Sequence, residues 1–264
     1  MEINNRRKNQ IKDLAEFLAL EYDETITPLD KIAKLEELPV FYDDYGNAFD
    51  GTLVYDNGFY IHMNTALGNT PEKERGRFTL AHEFGHYFID NHRIALKKGF
   101  LEPHPSRYNK NKHQIIEREA DFFASCLLMP EKRFRLDCER FRRFDFSVID
   151  DLSKKYHVSI TACAIRFADV GTHPIMVVYM EDNKIEWKWS SKELQFLRLA
   201  DGKNCVPLDS LASQYFKTGT GQKRTEELWY IDWFEDKNDN HLNCKIFEQV
   251  IPYKNKVLSI VWRA

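Results

Sequence analysis

Two histidines and a glutamate dominate the chemistry on offer. The pentad His82-Glu83-Phe84-Gly85-His86 spaces two imidazoles four residues apart, which on a helix puts them on one face, one turn apart. From there both reach a single zinc ion at about 2.0–2.1 Å. Glu83, next to the first imidazole, is placed to take a proton from water that the ion activates, since zinc brings the pKa of such water to about 7. Buried helical histidines occur without any metal, so the pentad needs a third ligand. A catalytic zinc site takes three protein ligands and keeps one position open.

Glu117-Arg118-Glu119-Ala120-Asp121 supplies candidates. Glu117 can ligate, and Asp121, one turn later, can accept an N–H from a zinc-bound histidine and fix its tautomer. Glu119 lies about 200° around the helix from Glu117, so the two do not ligate together. The bland alternative is an acidic, solvated helix face. Ile115, Ile116, Phe122, Phe123 and Leu127 argue instead for a largely buried helix, in which a carboxylate needs a cation. A His₂Glu set accepts several divalent ions, and zinc is the expected one.

Helices must carry both motifs. Thr70-Pro71-Glu72 is a cap, an N1 proline and an early acid, predicting a helix to about Asp90. A second predicted helix runs from Gln114 to Leu128 and stops before Pro130. Between them, 91–113 reads as a long loop. Its Arg93, Lys97, Lys98, Arg107, Lys110 and Lys112 face only Glu102, which suits a lid or substrate clamp as well as a solvated loop. Upstream, Ile11, Leu14, Ala15 and Leu18 line one face of a helix over 8–20. Thr27 and Pro28 open a short helix with Ile32, Ala33 and Leu35 as its buried side. Residues 39–42, 52–55 and 59–63 read as strands, with Asp56-Asn57-Gly58 a hairpin turn. In the last of these Tyr60 and His62 face away from Phe59, Ile61 and Met63.

The 264 residues are 43% hydrophobic, 14% aromatic and 30% charged, with a net charge of −3. That excludes a disordered or collagen-like chain and a wholesale polyanion binder. No apolar run approaches the roughly 18 residues of a membrane span. The polar start MEINNRRKNQ lacks the apolar core of a secretory signal. The five cysteines are scattered and include no CxxC pair, so reduced thiols and a cytoplasmic location are expected.

Arg77-Phe-Thr-Leu-Ala-His82-Glu83-Phe-Gly-His86, followed by Glu117-x-x-Ala120-Asp121-x-Phe123-Ala124-x-x-Leu127-Leu128-Met129-Pro130, resembles the ImmA/IrrE family of zinc metallopeptidases. Pro28-x-Asp30-x-Ile32-Ala33 and Asp50-Gly51 with Ile61-x-Met63-Asn64 are similar too, so the resemblance covers about 10–170. The family usually has Asn where this chain has Asp121, and both accept a histidine N–H. The resemblance implies Glu117 as third ligand and a gluzincin-like α+β core with a small antiparallel sheet. An edge strand there would pair with an extended substrate, and Phe59–Met63 is the candidate, with Tyr60 and His62 as substrate-binding side chains. It implies a site-specific endopeptidase that cleaves a helix-turn-helix repressor and derepresses mobile-element or stress-response genes. Second donors to the oxyanion could be Tyr60, His62, Arg77, His92, His104 or Tyr108.

Three parts are expected: a peptidase domain over 1–130, a helical segment over 131–171, and a C-terminal mixed α/β domain over 172–264, similar to a GAF-like sensor. In the middle part Ser147 to Asp150 is a capping box, Tyr156-His157-Val158 a turn, and Ser159 opens another helix. This pattern, beside a basic cluster at 132–143, resembles a helix-turn-helix. Packing is favoured over direct nucleic-acid binding, because Ile160, Thr161 and Ala162 offer little to read bases. In the last part 175–180, 184–189, 228–233, 242–250 and 257–262 read as strands. Two further readings stand beside the peptidase. One is a DNA- or protein-binding regulator with a structural or vestigial zinc site, the other a toxin–antitoxin or phage-defence component switched by its C-terminal domain. Glu83 favours the peptidase, because a structural site has no use for a base.

Overall fold

Alanines set the spacing of the helices that matter. In the computed structural model, Ala15 and Ala19 of α1 (Asn5–Leu20) and Ala120 and Ala124 of α5 (Ile115–Leu128) are fully buried. Side chains this small let α5 pack closely between α1 and α3 (Glu74–Phe88). Phe84, Phe123, Leu127 and Leu128 fill the space around them. The structure describes residues 3–100, 115–202, 204–236, 241 and 243–263. The expected donors His104 and Tyr108 lie outside the described residues, as does the loop around them.

The chain forms two units, Met1–Phe134 with Leu152–Ser159, and Arg135–Asp151 with Ile160–Ala264. The segment 131–171 divides between them. It holds α6 (Glu131–Cys138), α7 (Phe146–Tyr156) and α8 (Ile160–Val170).

The first unit also contains α2 (Leu29–Leu35), α4 (Asp90–Lys97) and a three-stranded sheet of β1 (Val40–Asp43), β2 (Gly51–Tyr55) and β3 (Phe59–Asn64). The sheet order is β1-β3-β2, with β1 parallel and β2 antiparallel to β3. This overturns Phe59–Met63 as the free edge: β3 is hydrogen-bonded on both sides, and the edges are β1 and β2. The hairpin turn is where the sequence puts it, with Asn57 at φ +52°.

Several boundaries move for physical reasons. The expected helix 70–90 is α3, then Ile89 in an extended conformation, then α4 in what reads as loop. Thr27 does not cap α2. Its hydroxyl donates to the Leu127 carbonyl at 2.8 Å, tying the α2 entrance to α5. Leu29 takes the buried place expected of Leu35, which is exposed. Asp145, not Ser147, caps α7, its Oδ1 accepting the Ser147 N–H at 2.7 Å.

In the second unit, β4 (Ile175–Glu181), β5 (Lys184–Ser190), β6 (Arg224–Trp229), β7 (Lys245–Tyr253) and β8 (Lys256–Arg263) form one antiparallel sheet, ordered β5-β4-β8-β7-β6. The strand expected at 228–233 ends at Trp229, where the chain turns into a 3-10 helix over Tyr230–Asp232. A helix not expected from the sequence, α9 (Leu211–Thr218), packs on β7 and β8 over a core of Met176, Val178, Trp233, Val250 and Val261. Helix α8 packs against β4 and β5. Fully buried Glu248 of β7 accepts from the Leu211 and Ala212 N–H groups, the Trp233 indole and the Ser259 hydroxyl, at 2.6 to 3.3 Å. A carboxylate at the first turn of a helix meets aligned N–H dipoles. Among the described residues no helix is long and apolar enough to cross a membrane.

Candidate metal centre

The ligand geometry starts from a glycine. A methyl group on Gly85 would lie 2.9 Å from the Ala120 Cα, so α3 and α5 meet at a distance only glycine permits. That contact sits between the two motifs and brings Glu117 over the imidazoles of α3. His82 Nε2 and His86 Nε2 are 3.1 Å apart, and the Glu117 carboxylate oxygens lie 3.3 Å and 3.4 Å from them. His82, His86 and Glu117 are the cluster of metal-type donors among the described residues. A tetrahedral ion bonded at about 2.0–2.1 Å has ligand atoms about 3.3 Å apart. Each imidazole has one of the two carboxylate oxygens at about this spacing, and one donor atom from each of the three residues lies within 4.8 Å of the others, so the residues present fit a zinc-sized ion.

Electrostatics agree with the geometry. His82 Nδ1 lies 2.9 Å from Asp121 Oδ1, which leaves Nε2 as the atom that could ligate an ion. Burial works against a proton on His82, but the bonds to Asp121 and Glu117 outweigh it and hold its pKa well above the ordinary imidazole range. Burial pushes His86 down to about 4. The two imidazoles are thus shifted in opposite directions, with His82 the more basic of the pair.

Glu83 is 1% exposed. A methyl group on Gly51 of β2 would come within 3.1 Å of Glu83 Oε1 and 2.6 Å of Thr79 Cγ2, so the carboxylate lies against the β2 backbone. A polar scaffold fixes that approach. Asn69 accepts from the Thr79 hydroxyl at 2.8 Å and donates to Asp50 at 2.8 Å, and Arg75 pairs with Asp50 at 2.6 Å. Buried Asn64 donates to the Gly46 and Phe49 carbonyls and accepts from the Tyr45 and Ala66 N–H groups. The Asp50-Gly51 and Met63-Asn64 signals thus shape the loop that sets Glu83 in place.

Tyr60 and His62 are not part of this cluster. They lie on the β3 face opposite Ile61 and Met63, with His62 stacked on Phe41 and bonded to the Tyr45 hydroxyl at 2.8 Å. Arg77 donates to the Thr27 carbonyl at 3.0 Å. Beside His82, His86 and Glu117, the expected donor candidate His92 is instead bonded to Glu119, which Arg7 holds in turn, a connection that the sequence does not reveal. Arg7 of α1 holds both oxygens of Glu119 at 2.9 Å and 2.6 Å, and Glu119 Oε2 lies 3.0 Å from His92 Nε2. Burial alone would raise the Glu119 carboxyl, but Arg7 outweighs it and holds it below the usual range. Burial pushes His92 down to about 4, so this imidazole is neutral. The one local signal for α4 was its charge pattern, Asp90 in the first turn and Lys97 in the last. Nothing local ties Arg7 to a glutamate 112 residues away.

Residues 45–168 match the family model of the IrrE N-terminal-like domain, Peptidase_M78. No curated protein matches the chain. Among solved structures, a Mycobacterium tuberculosis transcriptional regulator is similar with a TM-score of 0.63 at 12% identity, over 98% of this chain and 78% of that one. At that identity the likeness is one of fold. The span 45–168 contains His82, Glu83, His86, Glu117 and Asp121 and begins after α1. Over residues 45–168 the chain is similar to the ImmA/IrrE (Peptidase_M78) family.

Proposed function

We propose that this protein is a zinc-dependent, site-specific endopeptidase that cleaves a helix-turn-helix transcriptional repressor. The observation that carries this reading is Glu83, a buried carboxylate one residue from a triangle of metal-type donors. A structural site would close with a fourth ligand and needs no neighbouring base.

His82, His86 and Glu117 would hold the ion, and Asp121 would orient His82. The ion, when bound, supplies a Lewis acid that lowers the pKa of water and polarises the scissile carbonyl. Glu83 accepts the proton from the attacking water and returns it to the leaving amine. The β2 contact with Glu83 keeps that carboxylate in one position. An extended substrate would pair with the free edge of β2. The bonds Asn64 N–H to Asp50 O and Asp56 N–H to Gly58 O put even-numbered residues against β3. Gly51, Leu53 and Tyr55 therefore turn their N–H and C=O outward. Such pairing reads backbone and leaves side chains to pockets.

The second unit, an antiparallel sheet with helices on both faces, supports a GAF-like sensor over 172–264. The solved neighbour's description as a transcriptional regulator is compatible with a regulatory role. A direct DNA-binding role has less behind it: α8 buries Cys163, Ala164, Arg166 and Phe167, and its first turn offers no ready base reader.

The test is to incubate zinc-loaded protein with helix-turn-helix repressors encoded beside its gene and to read products by intact-mass spectrometry. One complementary pair of fragments is expected from wild type, and none from Glu83→Gln or after chelation. Cleavage by Glu83→Gln at the wild-type rate would sink the reading.

A further inference from the structure

A histidine that binds a metal through Nε2 carries its proton on Nδ1, and the group accepting that proton orients the ring. For His82 the acceptor is Asp121. Beside His86 lies the ring of His92, with centroids 5.2 Å apart. What His92 can offer is fixed from its other side. Arg7 grips both oxygens of Glu119, a bidentate arrangement that keeps the carboxylate ionised and accepting only. The 3.0 Å contact between His92 Nε2 and Glu119 is therefore donated by the imidazole. A neutral imidazole has one donor, so Nδ1 carries the lone pair. That atom is buried in a side chain 2% exposed and has no hydrogen-bond partner among the described residues. An acceptor there is stable only if something donates to it.

We propose that His92 is the positioning residue for His86, accepting its Nδ1–H at one hydrogen bond or one bridging water, with Arg7 and Glu119 holding His92 in the accepting tautomer. His92 is then to His86 what Asp121 is to His82. The relay begins on α1, outside the span 45–168 that matches the family, so the N-terminal helix takes part in setting the metal centre. This inference rests on His82, His86 and Glu117 being the metal ligands.

The test reads metal directly. Zinc affinity is measured by competition with a chromogenic chelator, and coordination by the visible bands of the Co²⁺-loaded protein. His92→Phe keeps a ring in place and removes the acceptor. It is expected to weaken zinc binding by about 10–100-fold, the usual cost of losing such an orienting group, and to shift the Co²⁺ bands. His92→Gln, whose amide can donate to Glu119 and accept from His86, should recover most of the affinity and the wild-type bands. Arg7→Gln should weaken binding in the same direction by less. Nitrogen NMR of zinc-loaded wild type should show His92 protonated on Nε2. His92→Phe with wild-type affinity and bands, or His92 protonated on Nδ1, overturns the proposal. If His92→Phe does not fold, Arg7→Gln and the tautomer decide. Wild type that takes up no zinc overturns the ligand assignment itself, and this inference with it.

Discussion

Gly85 and Ala120 touch where α3 and α5 cross, and a methyl group on Gly85 would fall 2.9 Å from the Ala120 Cα. A residue inside the HExxH pentad thus sets how far Glu117 stands from the imidazoles. In an exposed helix, Gly→Ala gains about 1 kcal/mol. Here overpacking of about 1–3 kcal/mol opposes it. Gly85→Ala is expected to lower the melting temperature and weaken zinc binding, and Gly85→Val to do both more strongly. Calorimetry beside a chelator titration checks this. A stabilised Gly85→Ala with unchanged affinity would show that α5 has room to move.

The raised His82 pKa sets a pH dependence for metal uptake. The proton held by Asp121 and Glu117 must leave before Nε2 can ligate. Zinc affinity should therefore rise with pH until the raised His82 value is passed. About one proton should be released per ion below that value, as read by titration calorimetry in buffers of different ionisation enthalpy. For the metal-free protein the sign reverses. A raised folded pKa gives stability that is full below the unfolded value near about 6.5 and lost as pH rises through the folded one. Asp121→Asn removes a charge that holds the proton, so it should flatten both slopes. Affinity that does not change with pH would contradict the assignment of His82.

Glu248 serves structure. Four donors converge on it at the α9 N-terminus. Glu248→Ala leaves buried donors unpaired and should cost about 1–3 kcal/mol or more. Glu248→Gln should also destabilise, because its NH₂ group faces donors. Burial comes first among the influences on this carboxyl, and its pKa is raised despite the four bonds. Its contribution to stability is therefore full below the ordinary carboxylate range and lost as pH rises through the folded value. Urea unfolding of wild type and Glu248→Ala at two pH values checks this, and equal stability of the two proteins would remove the role.

The edge of β2 gives a further test. Leu53→Pro removes one outward N–H, while Leu53→Val keeps it. If a substrate strand pairs there, the proline variant should lose cleavage by about 10-fold or more through KM, with zinc binding kept. Equal loss in both variants would point to packing of the Leu53 side chain instead.

Much of the site could be read from local spacing. His82, Glu83 and His86 are bound by helical geometry, as are Glu117 and Asp121, and α3 and α5 were recognisable from their apolar faces, although α3 begins at Glu74 after an uncapped Lys73 rather than at the expected Thr70 cap. What escaped the sequence depends on contacts distant along the chain. Arg7, Glu119 and His92 meet only because α1, α4 and α5 pack together. Thr27 looked like a cap because its local pattern is a capping pattern, and a carbonyl 100 residues away claims its hydroxyl. Strand order is likewise a tertiary property: alternation in 59–63 marks a strand but does not say whether it is central. Helix α4 was lost because eight residues are too few for a period to show against a charged loop.

On the proposed reading, His82, His86 and Glu117 hold a metal ion and Glu83 works beside it. The most direct measurement is elemental analysis of wild type, Glu117→Ala and Glu83→Gln, each purified without added metal and then offered zinc. About one zinc per chain is expected in wild type and Glu83→Gln, with clear loss in Glu117→Ala. Folded wild type that neither carries zinc nor takes it up would contradict the account.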